Sequence, residues 1–312
     1  MVHHLPRVRI AYVVLSHRNP DQVLRLVSSL KEGPAGEILV RHDRRHSILD
    51  ESELERLGAR SIHDDIAFEW GGWSQLQVLL ACLRRAADEV DPDWLLVLSG
   101  QDYPLRPMAA IEADLAKSGY DAMLGAAWEL DVSGLPGPPT DEFFLRYAYR
   151  HFPAPRFMPR LPLAVRSLAY LREQPPPLRP KLGVRRASLP FDDGFRCFVS
   201  GDWLTLNRRA LRAVLDAAGR RKLMRYYRRV ATPNESFFAT VLLNDRELRV
   251  ARENRRYISF EAPLAPHPRT LTASDLDTLL DSGCDFARKF DAEVDAEVLD
   301  ALDERRRSQV PR

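Results

Sequence analysis

Apolar runs and helical stripes alternate along the first 125 residues. Val8 to Leu15 is an apolar run of the kind that forms a strand buried on both faces. It ends at Ser16-His17, and Asn19-Pro20 then reads as a helix start, with Gln22 three residues after the cap. Val23, Leu26, Val27 and Leu30 follow at helical spacing until Gly33-Pro34. Glu37 to Val40 predicts a second strand, ending at His42-Asp43. Ser74 is placed to cap a helix whose stripe is Leu76, Leu79, Leu80, Leu83 and Ala87. A strand over 94–98, a helix over Met108 to Ala116 and a strand over 121–126 complete the series. This β-α-β order predicts an α/β fold with a mostly parallel sheet covered by helices on both faces.

From 131 to 190 the pattern is lost. Pro-rich stretches at 136–139, 153–162 and 175–180 predict long irregular loops packed over one face of the sheet. Periodicity returns with a helix over 208–218, a helix beginning at Thr232-Pro233-Asn234-Glu235, and a strand pair near 248–251 and 257–260. A helix over 273–282 has Thr272 before it and Gly283 at its end. The organisation expected is one compact unit of two halves, residues 1–130 and residues 131–312.

Composition adds little to this picture: 312 residues, 45% hydrophobic and 29% charged, are ordinary for a globular chain. No apolar run reaches the roughly 18 residues of a membrane span, and no signal segment is evident, so a cytoplasmic location is expected. Cys82, Cys197 and Cys284 lie far apart, match no metal spacing and read as reduced packing residues. The net charge is only +2, but Arg220 to Arg229 is strongly basic, as is Arg305 to Arg307. The basic run reads either as a solvated helix face or as a surface for anionic ligands or lipid head groups. It accompanies no nucleic-acid-binding motif.

The strand ends carry the candidate chemistry, because ligands of parallel sheets sit there. Neither a Gly-rich dinucleotide fingerprint nor a Walker loop follows the first strand, which argues against a dehydrogenase or a kinase. The ends present Ser16-His17, His42-Asp43 and Ser99-Gly100-Gln101-Asp102.

Seven segments together resemble the core-2/I-branching N-acetylglucosaminyltransferase family, which includes the peptide O-xylosyltransferases. They are AYVVLSHRNP at 11–20, WGGWS at 70–74, LSGQDYPLRP at 98–107, FVSGDW at 198–203, PNESFFATVLLN at 233–244, and HPRTLT with FARKFD at 267–272 and 286–291. The resemblance implies a GT-A-type, inverting, UDP-sugar-dependent glycosyltransferase that uses no metal, in a soluble, bacterial-type form. In most GT-A enzymes an Asp-x-Asp motif at the third strand end binds a divalent ion. Here one carboxylate, Asp102, stands beside an amide, a poor site for a hard cation.

The same resemblance implies roles for single residues. Glu235 is the general base, although its own surroundings also fit a helix capping box. Arg269 and Lys289 hold the diphosphate in place of a metal. Val14, His17, Asp43, Gln101 and Asp102 bind the nucleotide and donor sugar, and Trp128, Glu129 and Trp203 face the acceptor. Trp70 and Trp73 read mainly as packing residues. The expected donor is UDP-GlcNAc, then UDP-xylose. The acceptor class, whether glycan, glycolipid or small molecule, stays open. Two other readings also stand: a non-catalytic nucleotide-sugar or glycan-binding protein, and a metal-dependent nucleotidyltransferase using Asp64-Asp65 or Asp192-Asp193.

Overall fold

The computed structural model describes residues 8–133, 142–154, 169–172, 181–262 and 267–309. The first half supplies β1 (Ile10–Ser16), α1 (Pro20–Leu30), β2 (Gly36–His42), α2 (Glu51–Arg56), β3 (Ala59–Ser61) and α3 (Trp73–Glu89). It continues through β4 (Trp94–Ser99), β5 (Asp102–Pro104), α4 (Met108–Ala116), β6 (Ala122–Met123) and β7 (Trp128–Glu129). After residue 141 come α5 (Glu142–Ala148), β8 (Tyr149–Pro153), β9 (Ala169–Arg172), β10 (Lys181–Arg185), β11 (Phe198–Val199) and β12 (Thr205–Asn207). Then follow α6 (Arg208–Ala218), α7 (Arg221–Tyr227), α8 (Asn234–Asn244), β13 (Val250–Ala251) and β14 (Arg256–Ile258). A 3-10 turn (Ala273–Asp275), α9 (Leu276–Asp281), β15 (Phe286–Arg288) and α10 (Glu297–Ser308) close the order.

The central sheet has seven strands in the order β13-β6-β12-β4-β1-β2-β3. β3, β2, β1 and β4 run parallel, β12 runs antiparallel between β4 and β6, and β13 is parallel to β6. This is the mostly parallel α/β sheet that the strand and helix pattern predicts. The two faces are covered because β1 and β4 are apolar up to their closing serines, Ser16 and Ser99. Ala11, Val13, Leu95 and Val97 point into one core with α3, α6 and α8, while Tyr12, Val14, Leu96 and Leu98 point into another with α1, α4 and α10. Fully burying a Leu, Val or Phe side chain stabilises by about 1.5–3 kcal/mol, so both layers hold the sheet.

Several expectations need correction. The region 131–190 is not wholly irregular: its described part holds α5 and an antiparallel sheet, β8-β10-β9. Three of its proline-rich stretches fall largely outside the described residues. Residues 248–251 and 257–260 do not pair with each other; β13 joins the central sheet, and β14 pairs with β15, which pairs with β5. Glu235 forms no capping box, for Pro233 caps α8 with no side-chain bond and Glu235 turns elsewhere. Gln22 likewise leaves the helix start. Its amide bonds Gly100 O at 3.0 Å and Phe290 O at 3.1 Å and accepts from Ala292 N at 2.7 Å, tying α1 to the β4 end and to the chain after β15. The capping box forms instead between Thr272 and Asp275.

Candidate active site

Glu235 lies at the first turn of α8. Its Oε2 accepts from Arg146 Nη1 at 2.6 Å. Arg146 stands on α5, where its other nitrogens bond Glu142, and its guanidinium lies 4.8 Å from the Phe143 ring centroid. Trp128 also meets that ring edge-on, at 5.1 Å between centroids. β7 pairs with β11, and Ser200 N, just after β11, bonds Glu235 O at 2.7 Å. Glu235 thus sits where α5, β11 and α8 converge.

Burial pushes the Glu235 carboxyl up to about 7, and the nearby Asp202 carboxylate adds to the rise; Arg146 opposes both. Asp202 accepts from Asn234 Nδ2 and from Gln75 Nε2, the latter at 3.3 Å. The buried Asn234 carboxamide oxygen has no protein partner. A carboxyl that titrates near neutrality, with a large but incomplete burial, is equipped to accept a proton from a bound hydroxyl.

The second half of the site is cationic. Arg288 faces Asp102: its Nη1 is 3.6 Å from Asp102 Oδ1, and its guanidinium covers the Trp203 ring at 4.2 Å. Arg288 Nε and Nη1 have no hydrogen-bond partner, although both are buried. Lys289 follows, half-buried, with no ion pair or side-chain hydrogen bond among the described residues. His267 is close to both, and they and its burial hold its imidazole below the usual range. Trp70, half exposed, meets the His267 ring at 5.5 Å, and Gly71 O accepts from Thr232 N at 2.8 Å. The WGGWS turn therefore joins the base side to the cation side. Trp73 packs against the core.

The residues singled out from sequence fare differently. Trp203, Glu235 and Lys289 belong to this cluster, and Trp128 is linked to it through Phe143 and Arg146. Glu129 is exposed and pairs with Arg196 at 3.2 Å. Gln101 is half-buried, and its amide reaches Phe290 O at 3.4 Å. His17 is exposed at the end of β1 beside His46. Asp43 is buried, and the Arg45 guanidinium at 2.5 Å holds its carboxyl well below the ordinary range.

Three of the expected residues are enclosed or already engaged. Val14 is wholly inside the α1-side core, so its side chain cannot reach a nucleotide. Asp102 is also fully buried; it accepts from Ser99 N at 3.0 Å and faces Arg288 at 3.6 Å. Arg269 is committed in two bonds to Asp275, the capping-box carboxylate, and in a third to Ser259. Arg146 and Arg288 are the residues that sequence reasoning passed over. Arg146 lies in the stretch read as loop, whereas Arg288 adjoins Lys289 in FARKFD and was open to the same reading. Among the described residues, no three His, Cys, Asp or Glu side chains converge as a metal site would require, and no helix is long and apolar enough to cross a membrane. Asp64 is engaged by Arg41 at 3.1 Å.

No family model matches the chain. Over 126 residues, 39% of this chain, it is 33% identical to the beta-glucuronosyltransferase GlcAT14A of Arabidopsis thaliana. Over 124 residues, 38% of the chain, it is 33% identical to GlcAT14B of Arabidopsis thaliana. The match spans 27% of either relative's length. Among solved structures, a protein described as a glucose-1-phosphate thymidylyltransferase from Bacillus anthracis, in complex with sucrose, superposes with a TM-score of 0.30 and 8% identity over 66% of this chain and 74% of that one. HddC from Yersinia pseudotuberculosis superposes at 0.28 and 9% identity over 65% and 78%.

Proposed function

We infer that the chain is an inverting glycosyltransferase of the GT-A type that moves a sugar from a UDP-sugar to an acceptor hydroxyl. One observation carries the reading: Glu235, a largely buried carboxyl pushed up to about 7 by burial and by Asp202, is paired with Arg146, and Asp202 is also acted on by Arg288, the neighbour of Lys289. The partial similarity to two proteins named beta-glucuronosyltransferases supports sugar transfer as the reaction class.

In this reading the acceptor oxygen attacks the anomeric carbon while the bond from that carbon to the diphosphate breaks. Glu235 Oε takes the hydroxyl proton. Negative charge grows on the leaving UDP, and fixed cations aimed at it lower the barrier without a metal. Lys289 is the free cation for this task. Arg288, already aligned by Asp102 and held over Trp203, supplies unpaired N–H groups. Arg269 contributes only if Asp275 releases it. His17, Asp43 and Gln101, at the ends of β1, β2 and β4, stand where the nucleotide would lie, and Trp128 and Glu129 mark the acceptor side. The donor candidates are UDP-GlcNAc and UDP-xylose, joined by UDP-glucuronate on the strength of the relatives' names.

The test is thermal stabilisation by these UDP-sugars and by other nucleotides, with EDTA present. A ligand at a hundredfold excess over its Kd stabilises by about 2.7 kcal/mol. Stabilisation by uridine nucleotides that persists in EDTA and is lost in Lys289→Ala supports the reading. A requirement for a divalent ion, or no response to uridine nucleotides, overturns it.

A further inference from the structure

Six of the ten residues from Arg220 to Arg229 are cationic and none is acidic. The structure resolves how they are displayed. α7 turns Leu223, Tyr226 and Tyr227 into the core and leaves Arg220, Arg221, Lys222, Arg225, Arg228 and Arg229 exposed. Arg150, on β8, is also exposed, and its neighbour His151 donates from its backbone N to Arg229 O at 2.9 Å. Among the described residues none of these seven cations forms an ion pair with a carboxylate. Many of the chain's other surface arginines are paired: Arg9 with Asp91, Arg60 with Glu89, Arg196 with Glu129, Arg208 with Asp91 and Asp93. A cluster of like charges left without counter-charges destabilises the fold unless an external anion supplies them.

We propose that this face docks on an anionic lipid bilayer. The cations stand on one short helix and its neighbouring strand, and the aromatic side chains of α7 are turned inward. Bases therefore find no exposed stacking ring on α7, which disfavours single-stranded nucleic acid. An array of separate point cations instead matches a plane of lipid phosphates, where each contributes independently. The patch is also joined to the catalytic elements. Tyr226 OH donates to Tyr147 O at 2.7 Å, Ala231 N donates to Arg146 O at 3.3 Å, and Arg229 precedes Glu235 by six residues. Docking through α7 would hold the Arg146–Glu235 side of the molecule close to the membrane and favour an acceptor embedded in or linked to lipid. That last step rests on the transferase reading; the docking itself does not.

The experiment is flotation of the full chain with vesicles of phosphatidylcholine alone and of phosphatidylcholine with phosphatidylglycerol. Binding is expected only with the anionic lipid, and is expected to fall as salt rises from about 0.1 M to about 1 M, where the screening length shrinks from about 10 Å to about 3 Å. At about fivefold per cation, the triple variant Arg221→Gln/Lys222→Gln/Arg225→Gln should bind about a hundredfold more weakly with an unchanged melting temperature. The pair Arg305→Gln/Arg307→Gln, on α10, should bind as wild type. Equal binding to neutral vesicles, no binding to anionic ones, unaltered binding by the triple variant, or preference for an oligonucleotide or an anionic polysaccharide over the vesicles would each overturn the proposal. Turnover is not read, so a failed transferase assay leaves this result standing.

Discussion

Arg146 and Glu235 are 89 residues apart in sequence and meet at 2.6 Å. The contact sets the working range of the carboxyl. Without the arginine, burial and Asp202 would act on Glu235 with only weaker opposition. Replacing Arg146 with Gln should therefore move the acid limb of the pH–rate profile to higher pH, with Lys restoring part of the shift. Kinetics at fixed donor across pH 5 to 9 checks this; a limb that stays in place would show that Arg146 does not tune the base.

Linkage gives a second, independent prediction. The folded Glu235 carboxyl titrates at about 7 rather than the usual 4.5, so the native state binds the proton more tightly than the unfolded chain. Its ionisation costs nothing below about pH 4.5, and the cost grows as pH rises to 7 and is constant above that. At about 1.4 kcal/mol per pH unit the full cost is at most about 3 kcal/mol. Glu235→Gln removes this dependence. Its stability relative to wild type should rise between pH 5 and pH 8, read by denaturant unfolding at both pH values.

Asp102 makes the clearest structural prediction. It is enclosed, and Arg256 and Arg288 lie near it; Arg256 is itself pulled down to about 10 by burial. Asp102→Ala leaves two buried guanidinium groups without their carboxylate and should cost about 3–5 kcal/mol. Asp102→Asn should cost less. Chemical denaturation measures both.

The glycine of the SGQD turn is also required. A Cβ on Gly100 would lie 2.8 Å from Ser16 Cβ and 2.9 Å from Val23 Cγ2. Gly100→Ala should destabilise by about 1–3 kcal/mol, because the end of β4 must move away from β1 and α1. The loss should appear in the melting temperature and in weaker UDP-sugar binding together.

Much of this architecture is legible in the sequence where the signal is local. β1, β2, β4, α1, α3, α4 and α6 follow from apolar runs and helical stripes, and Thr272 with Gly283 marks the ends of the C-terminal helical segment. What could not be read depends on distant partners. β12 is only three residues long and enters the sheet by pairing with β4 and β6. Val14 lies in a run buried on both faces, so alternation gives no clue to which neighbours reach solvent. Arg146 lies within a stretch dominated by prolines, and its role depends on a contact across 89 residues. Glu235 had a local alternative, the capping box, which loses because the buried Arg146 offers a charged partner to the same carboxylate.

The most direct test of the account is the pH dependence of UDP release from the preferred UDP-sugar, in wild type and Glu235→Gln, alongside the Kd for that donor. A positioned general base contributes about 10²–10⁴ in rate. The expected result is a wild-type kcat/KM that rises tenfold per pH unit and levels near pH 7, with a variant that binds the donor equally well and turns over at least a hundredfold more slowly. A variant with wild-type turnover, or a wild-type profile flat from pH 5 to 9, would contradict the assignment of Glu235 as the base.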